Sequence, residues 1–70
     1  MEQREFRVTG MSCEHCERAV REEVTAVAEV DVLDLNASDG RLVVSLPSRL
    51  DDATIIAAVE EAGYEAARVQ

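Results

Sequence analysis

Cys13 and Cys16 are the only cysteines in the chain, three positions apart in Gly10-Met11-Ser12-Cys13-Glu14-His15-Cys16. Two thiols at that spacing serve either a thiophilic metal ion or thiol–disulfide redox exchange, and the spacing alone does not choose between them. They are too few for a disulfide-stapled secreted scaffold. As metal ligands, two soft thiolates with no further obvious donor make a low-coordinate site, of the kind that selects Cu(I). Zinc prefers four ligands, and structural zinc sites show two Cys/His couples where this chain has one.

The elements that must hold the pair follow from hydrophobic periodicity. Phe6 and Val8 share one side of an extended segment, so residues 4 to 9 read as a first strand ended by Gly10. From Cys13 the period turns helical through Cys16, Ala19, Val20, Glu23 or Val24, and Val27, which predicts a helix over about 14 to 27. Glu14 with Arg18 and Glu17 with Arg21 fall at i, i+4 on its other face, acid first, as a salt-bridged solvent face would have them. Cys13 then lies in a loop and Cys16 in the first helical turn. Both sulfurs can face one point there, near free backbone N–H groups that favour thiolates.

Residues 29 to 36 are aliphatic and β-branched, but their alternation slips between Val32 and Leu33. The reading adopted puts Leu33 and Leu35 inward, Val30 at the helix-to-strand junction and Val32 partly exposed. Ser38-Asp39-Gly40 supplies a turn, and Leu42, Val44 and Leu46 alternate cleanly up to Pro47, completing a hairpin. A second helix opens at Asp51 as N-cap, with Leu50 and Ile55 spaced as a hydrophobic staple. Ile55 or Ile56, Val59 and Ala62 form its buried face, Gly63 ends it, and Tyr64 to Val69 read as a short last strand. The order predicts an α+β, ferredoxin-like βαββαβ sandwich: a four-stranded antiparallel sheet with two helices on one face. A single domain over 1–70 uses nearly every residue. A thioredoxin-like enzyme also starts a helix with such a cysteine pair, but it needs a larger domain and a substrate groove.

Composition narrows the function. At 70 residues, with 47% apolar content and only Phe6 and Tyr64 aromatic, the core must be thin and aliphatic, with no room for a two-lobed catalytic cleft. Fifteen carboxylates face seven arginines and no lysine, a net charge of −8. That argues against nucleic acid or an anionic membrane as partner and favours a basic protein surface. No segment approaches the roughly 20 apolar residues of a membrane span, and Met1-Glu2-Gln3-Arg4-Glu5 has no signal-peptide core, so the expectation is a cytoplasmic protein without membrane insertion.

Gly10-Met11-Ser12-Cys13-Glu14-His15-Cys16 after a strand, with Glu60-Glu61-Ala62-Gly63-Tyr64-Glu65 near the end, resembles the heavy-metal-associated domain over about Phe6 to Val69. That family includes cytosolic copper chaperones and the N-terminal metal-binding domains of copper-pumping P-type ATPases. The resemblance implies Cu(I) held by Cys13 and Cys16 and passed by ligand exchange, without catalysis, to a copper-transporting P-type ATPase or another copper-accepting protein. It implies that Met11 packs under the loop without ligating, and that Tyr64 shields the metal or simply closes the core. At the position of His15 the family points to solvent; the other reading makes His15 a third ligand, supplied from a second molecule in a metal-bridged homodimer. Zinc-carrying relatives tend to place an aspartate where this chain has Ser12, so Ser12 favours Cu(I).

Two features depart from the family's chaperones. Several of those use lysines to meet an acidic target, and here only Arg18 and Arg21 lie nearby, with Glu14 and Glu17 also flanking the cysteines. The competing expectations are a domain of a copper ATPase, a mercury-binding relative and a small dithiol reductant. A chain running from Met1 to Gln70 without a linker favours the free-standing chaperone.

Overall fold

The computed structural model describes residues 1–69; Gln70, the last position of the expected 1–70 domain, lies outside the described residues. The elements follow the predicted order: β1 (Glu2–Thr9), α1 (Glu14–Thr25), β2 (Asp31–Asn36), β3 (Arg41–Leu46), α2 (Asp52–Glu61) and β4 (Glu65–Arg68). The four strands form one antiparallel sheet in the order β2-β3-β1-β4, the ferredoxin-like arrangement. The core of Phe6, Val8, Leu35, Leu42, Val44 and Leu46 from the strands meets Val20 and Val24 of α1 and Ile55, Ala58 and Val59 of α2.

Strand β1 starts two residues earlier than its apolar pattern indicated, because β3 pairs with it as far as Glu2↔Leu46. Arg4 is in phase with Phe6 and Val8 and so lies on the core side, where it is 6% exposed. A buried guanidinium is costly unless paired and hydrogen-bonded. Arg4 meets that condition by donating to Glu2 Oε2 at 2.6 Å, Asp52 Oδ1 at 3.2 Å, and the carbonyls of Leu50 at 2.6 Å and Ser48 at 3.2 Å. It thereby ties β1 to the start of α2, at the end of the domain remote from the cysteines.

Helix α1 stops at Thr25, before Val27, and the Thr25 hydroxyl donates back to the Arg21 carbonyl at 2.7 Å. The chain then turns through Glu29 at φ 72 and reaches β2 only at Asp31.

The inward placement of Leu33 is corrected. Val32 pairs with Val44 and Asp34 with Val43, so Leu33 has no partner of its own and is 50% exposed. The break in alternation is a β-bulge, in which one extra residue leaves the ladder and restores the inward phase beyond it. Leu35 therefore faces the core opposite Leu42, Val32 packs at its edge, and Val30 is buried at the junction.

Asp51 occupies the N-cap of α2 without a side-chain capping bond, while Leu50 and Ile55 both pack on the core. The other end positions the site. Gly63 adopts φ +95, its N–H donates to the Glu60 carbonyl at 2.9 Å, and the Tyr64 N–H donates to the Val59 carbonyl at 3.2 Å. This pair of bonds is a Schellman motif, and its left-handed residue is normally glycine. It turns the chain sharply, so that Tyr64 leaves the helix beside the loop between β1 and α1.

Candidate metal centre

Cys13 is the N-cap of α1, with extended backbone at φ −159 and ψ 178, and its side chain makes no capping bond. Its carbonyl accepts the N–H groups of Cys16 at 3.1 Å and Glu17 at 3.2 Å. Those two bonds close the first turn and bring the third helical residue, Cys16, back over the cap. The sulfurs stand 3.7 Å apart. A disulfide would need about 2.05 Å, so both thiols are free. Metal–sulfur bonds of about 2.3 Å each span such a gap with small side-chain rotations. Cys13 is exposed and Cys16 half-buried, leaving one side of the pair open.

The surroundings favour the thiolate on Cys16, whose pKa is lowered to about 6. The largest cause is the Tyr64 phenol, which acts as a donor toward Cys16 Sγ. Backbone donors at Ser12 and Cys13 and the Cys13 thiol add to it, while burial opposes it. The reciprocal effect raises the Tyr64 pKa, first through its contact with the Cys16 sulfur and then through burial, so the phenol keeps its proton at neutral pH. Ser12 Oγ lies 3.9 Å from Cys16 Sγ.

A depressed thiol pKa means that the folded state prefers the thiolate. That preference stabilises the fold fully above the ordinary thiol value of about 8.5 and is lost as pH falls through about 6. Alkylation of the metal-free protein should show one thiol reacting with a midpoint near 6. Tyr64→Phe should move that midpoint upward, and an unchanged midpoint would assign the shift to the backbone donors alone.

Met11 is half-buried and packs against the core beneath the loop. Tyr64 also packs on the core, and a Cβ built on Gly10 would lie 3.1 Å from its Cδ1. The ring therefore rests on the loop backbone where a side chain would push it away, and Gly10, at φ +103, is the residue that permits this. His15, in the first turn of α1, is exposed. Among the described residues, no three His, Cys, Asp or Glu side chains converge to hold an ion. The structure thus gathers Met11, Ser12, Cys13, Cys16 and Tyr64 at one end of the domain and leaves His15 aside. Among the described residues, no helix is long and apolar enough to cross a membrane.

The expected salt-bridged face of α1 does not form. Among the described residues, neither Glu14 with Arg18 nor Glu17 with Arg21 closes an ion pair. Glu17 turns to the hairpin, where its Oε2 accepts the Ala37 N–H at 2.6 Å. An exposed helical ion pair is worth only about 0.3–0.5 kcal/mol, whereas a part-buried N–H without an acceptor costs about 1–3 kcal/mol. Helical spacing could not reveal this use of Glu17, since the acceptor role is set by a residue twenty positions away. The seat of the Tyr64 ring on Gly10 was equally invisible, although the glycine itself marked the end of a strand.

Residues 5–65 match the heavy-metal-associated domain. The chain is 35% identical over 69 residues to copper chaperone CopZ of Bacillus subtilis strain 168, a match covering 97% of this chain and 100% of that protein. It is 34% identical over 59 residues to copper-transporting ATPase 2 of Rhizobium meliloti strain 1021, covering 84% of this chain and 7% of that much longer protein. The fold superposes on the crystal structure of a copper binding domain from HMA7, a P-type ATPase, with a TM-score of 0.92 at 25% identity, covering 100% of this chain and 96% of that one. With a family match across most of its length and the cysteine pair at the strand-to-helix loop, the chain belongs to the heavy-metal-associated domain family.

Proposed function

We propose that this chain is a cytoplasmic carrier of Cu(I), held by the thiolates of Cys13 and Cys16 and delivered by ligand exchange to a copper-transporting P-type ATPase or another copper-accepting protein. The observation that carries this reading is the pair of free sulfurs 3.7 Å apart at an open helix start. Soft thiolates without a hard third donor favour Cu(I) over Zn(II), and Ser12 adds no carboxylate. The end-to-end similarity to a copper chaperone supports the carrier role.

Delivery is exchange of ligands on the ion, with no net chemistry on the protein. An incoming thiolate from the partner adds to the two-coordinate ion from the open side. Cys13 or Cys16 then leaves, and the second sulfur follows as the partner's second thiolate binds. Charge moves with the ion, each departing thiolate is free to take a proton, and no free copper is released. Met11 supports the loop from below, and Tyr64 donates toward Cys16 while the sulfur is unmetallated. His15 remains outside this exchange in a monomer.

A second reading, an N-terminal metal-binding domain of a copper-transporting ATPase, is favoured by the match to 7% of such a protein and uses the same site. Anaerobic Cu(I) titration with stoichiometry and mass measured together, beside Zn(II) under identical conditions, tests the ion. One tightly held Cu(I) per chain with weak Zn(II) is the expected result. Tighter Zn(II) would overturn the assignment, and a doubled mass on metal addition would place His15 or a cysteine in a bridged dimer.

A further inference from the structure

The hairpin between β2 and β3 touches both ends of the cysteine loop. On one side, the Val8 N–H near the end of β1 donates to the Gly40 carbonyl at 2.7 Å. Gly40 adopts φ +71, and a Cβ there would lie 2.5 Å from the Val8 carbonyl oxygen, so this backbone approach requires glycine. On the other side, the Ala37 N–H donates to Glu17, the residue next to Cys16.

The connection between these anchor points is itself braced. Asn36 Oδ1 accepts the Ser38 N–H at 2.9 Å and the Ser38 hydroxyl at 2.7 Å, and Asp39 Oδ1 accepts the Arg41 N–H at 3.0 Å. Such local side-chain bonds fix a turn in one conformation. The strand entering the cysteine loop and the helix leaving it are therefore held to one short, internally bonded segment. A carboxylate accepting a backbone N–H makes a bond roughly twice as strong as a neutral pair.

We propose that Glu17 is a positioning residue for the thiolate pair: by accepting the Ala37 N–H it clamps the first turn of α1 to the hairpin that also holds the end of β1, and so sets the separation of Cys13 and Cys16. The consequence for the ion rests on the carrier reading above; the clamp itself does not. Glu17 touches neither sulfur and is not a ligand. Its effect passes through the first turn, where the Cys16 and Glu17 N–H groups both bond to the Cys13 carbonyl.

Glu17→Ala and Glu17→Gln separate the hydrogen bond from the charge, because glutamine keeps an acceptor oxygen. Amide hydrogen exchange of the metal-free variants reads the clamp, and competition for Cu(I) against a chelator of known affinity reads its consequence. In Glu17→Ala, exchange at Ala37, Cys16 and Glu17-position amides should quicken while β1 amides remote from the loop keep their protection, and Cu(I) affinity should fall about 10–100-fold, the usual cost of losing an outer support of a metal site. Glu17→Gln, which keeps a neutral acceptor, should restore both in part. Unchanged exchange at Ala37 and Cys16 in Glu17→Ala overturns the clamp, as does a Glu17→Gln variant indistinguishable from Glu17→Ala. If the parent protein itself fails to hold Cu(I), the carrier reading falls, and the exchange experiment still decides the clamp.

Discussion

Cys13→Ser and Cys16→Ser should each lose Cu(I) to a competing chelator that the parent protein resists, with affinity reduced roughly 100-fold or more. Loss of an outer support costs about 10–100-fold, and removal of a direct ligand should exceed that range. The sulfurs are 3.7 Å apart and no third His, Cys, Asp or Glu converges on them among the described residues, so the remaining thiolate would hold the ion alone. Serine is nearly isosteric but offers a hard hydroxyl that keeps its proton at neutral pH, a poor match for a soft ion. Both cysteines lie at the surface end of α1, outside the buried core, so the folded state should survive either change. Circular dichroism and thermal melting would show this directly. Retention of Cu(I) by either variant at parental strength would remove that cysteine from the site.

Phe6→Ala should cost about 3–5 kcal/mol, the usual range for truncating a fully buried phenylalanine. Phe6 is fully buried, sits on a central strand between Leu42 of β3 and Arg68 of β4, and is the sole aromatic member of the buried core. Small domains have only about 0.05–0.15 kcal/mol of stability per residue, so this substitution would consume most of what 70 residues provide. Urea denaturation should show a large fall in midpoint, or no folded baseline at all. Phe6→Leu fills more of the same volume and should remain measurable at a smaller loss. A Phe6→Ala protein within about 1 kcal/mol of the parent would mean that the aliphatic neighbours collapse into the space.

Between them, these variants separate the two layers of the molecule. On the proposed function, substitution of either cysteine should lose the ion with little consequence for folding, while substitution of Phe6 should lose the fold that holds the pair. The thin core makes the second layer vulnerable, since one large side chain does the work that several share in bigger domains.

The order of elements was legible because each apolar stripe is local. Leu42, Val44 and Leu46 alternate without a break, and all three are buried. Gly63 marked the end of α2 through its tolerance of positive φ, and the Schellman bonds are there. Leu33 was misplaced for a physical reason that the same pattern contained. A slip in alternation shows that one residue must leave the ladder, but only pairing against β3 decides which one, and it is Leu33.

The amino-acid sequence by itself determined where the candidate site lies: two cysteines at the strand-to-helix junction of a βαββαβ chain, with no lysine around them. Local periodicity and residue chemistry are enough for that, because both act over a few positions. The tertiary structure decided how the site is held and tuned. Tyr64 is forty-eight positions from Cys16 along the chain, yet it is the largest influence lowering that thiol to about 6. Glu17 looked like half of a helical ion pair and is instead bonded to the hairpin, and Arg4, at the start of the first strand, is buried in a network of its own. Each of these roles depends on a partner brought close only when the sheet and helices close on the core, and helical or strand spacing carries no record of it.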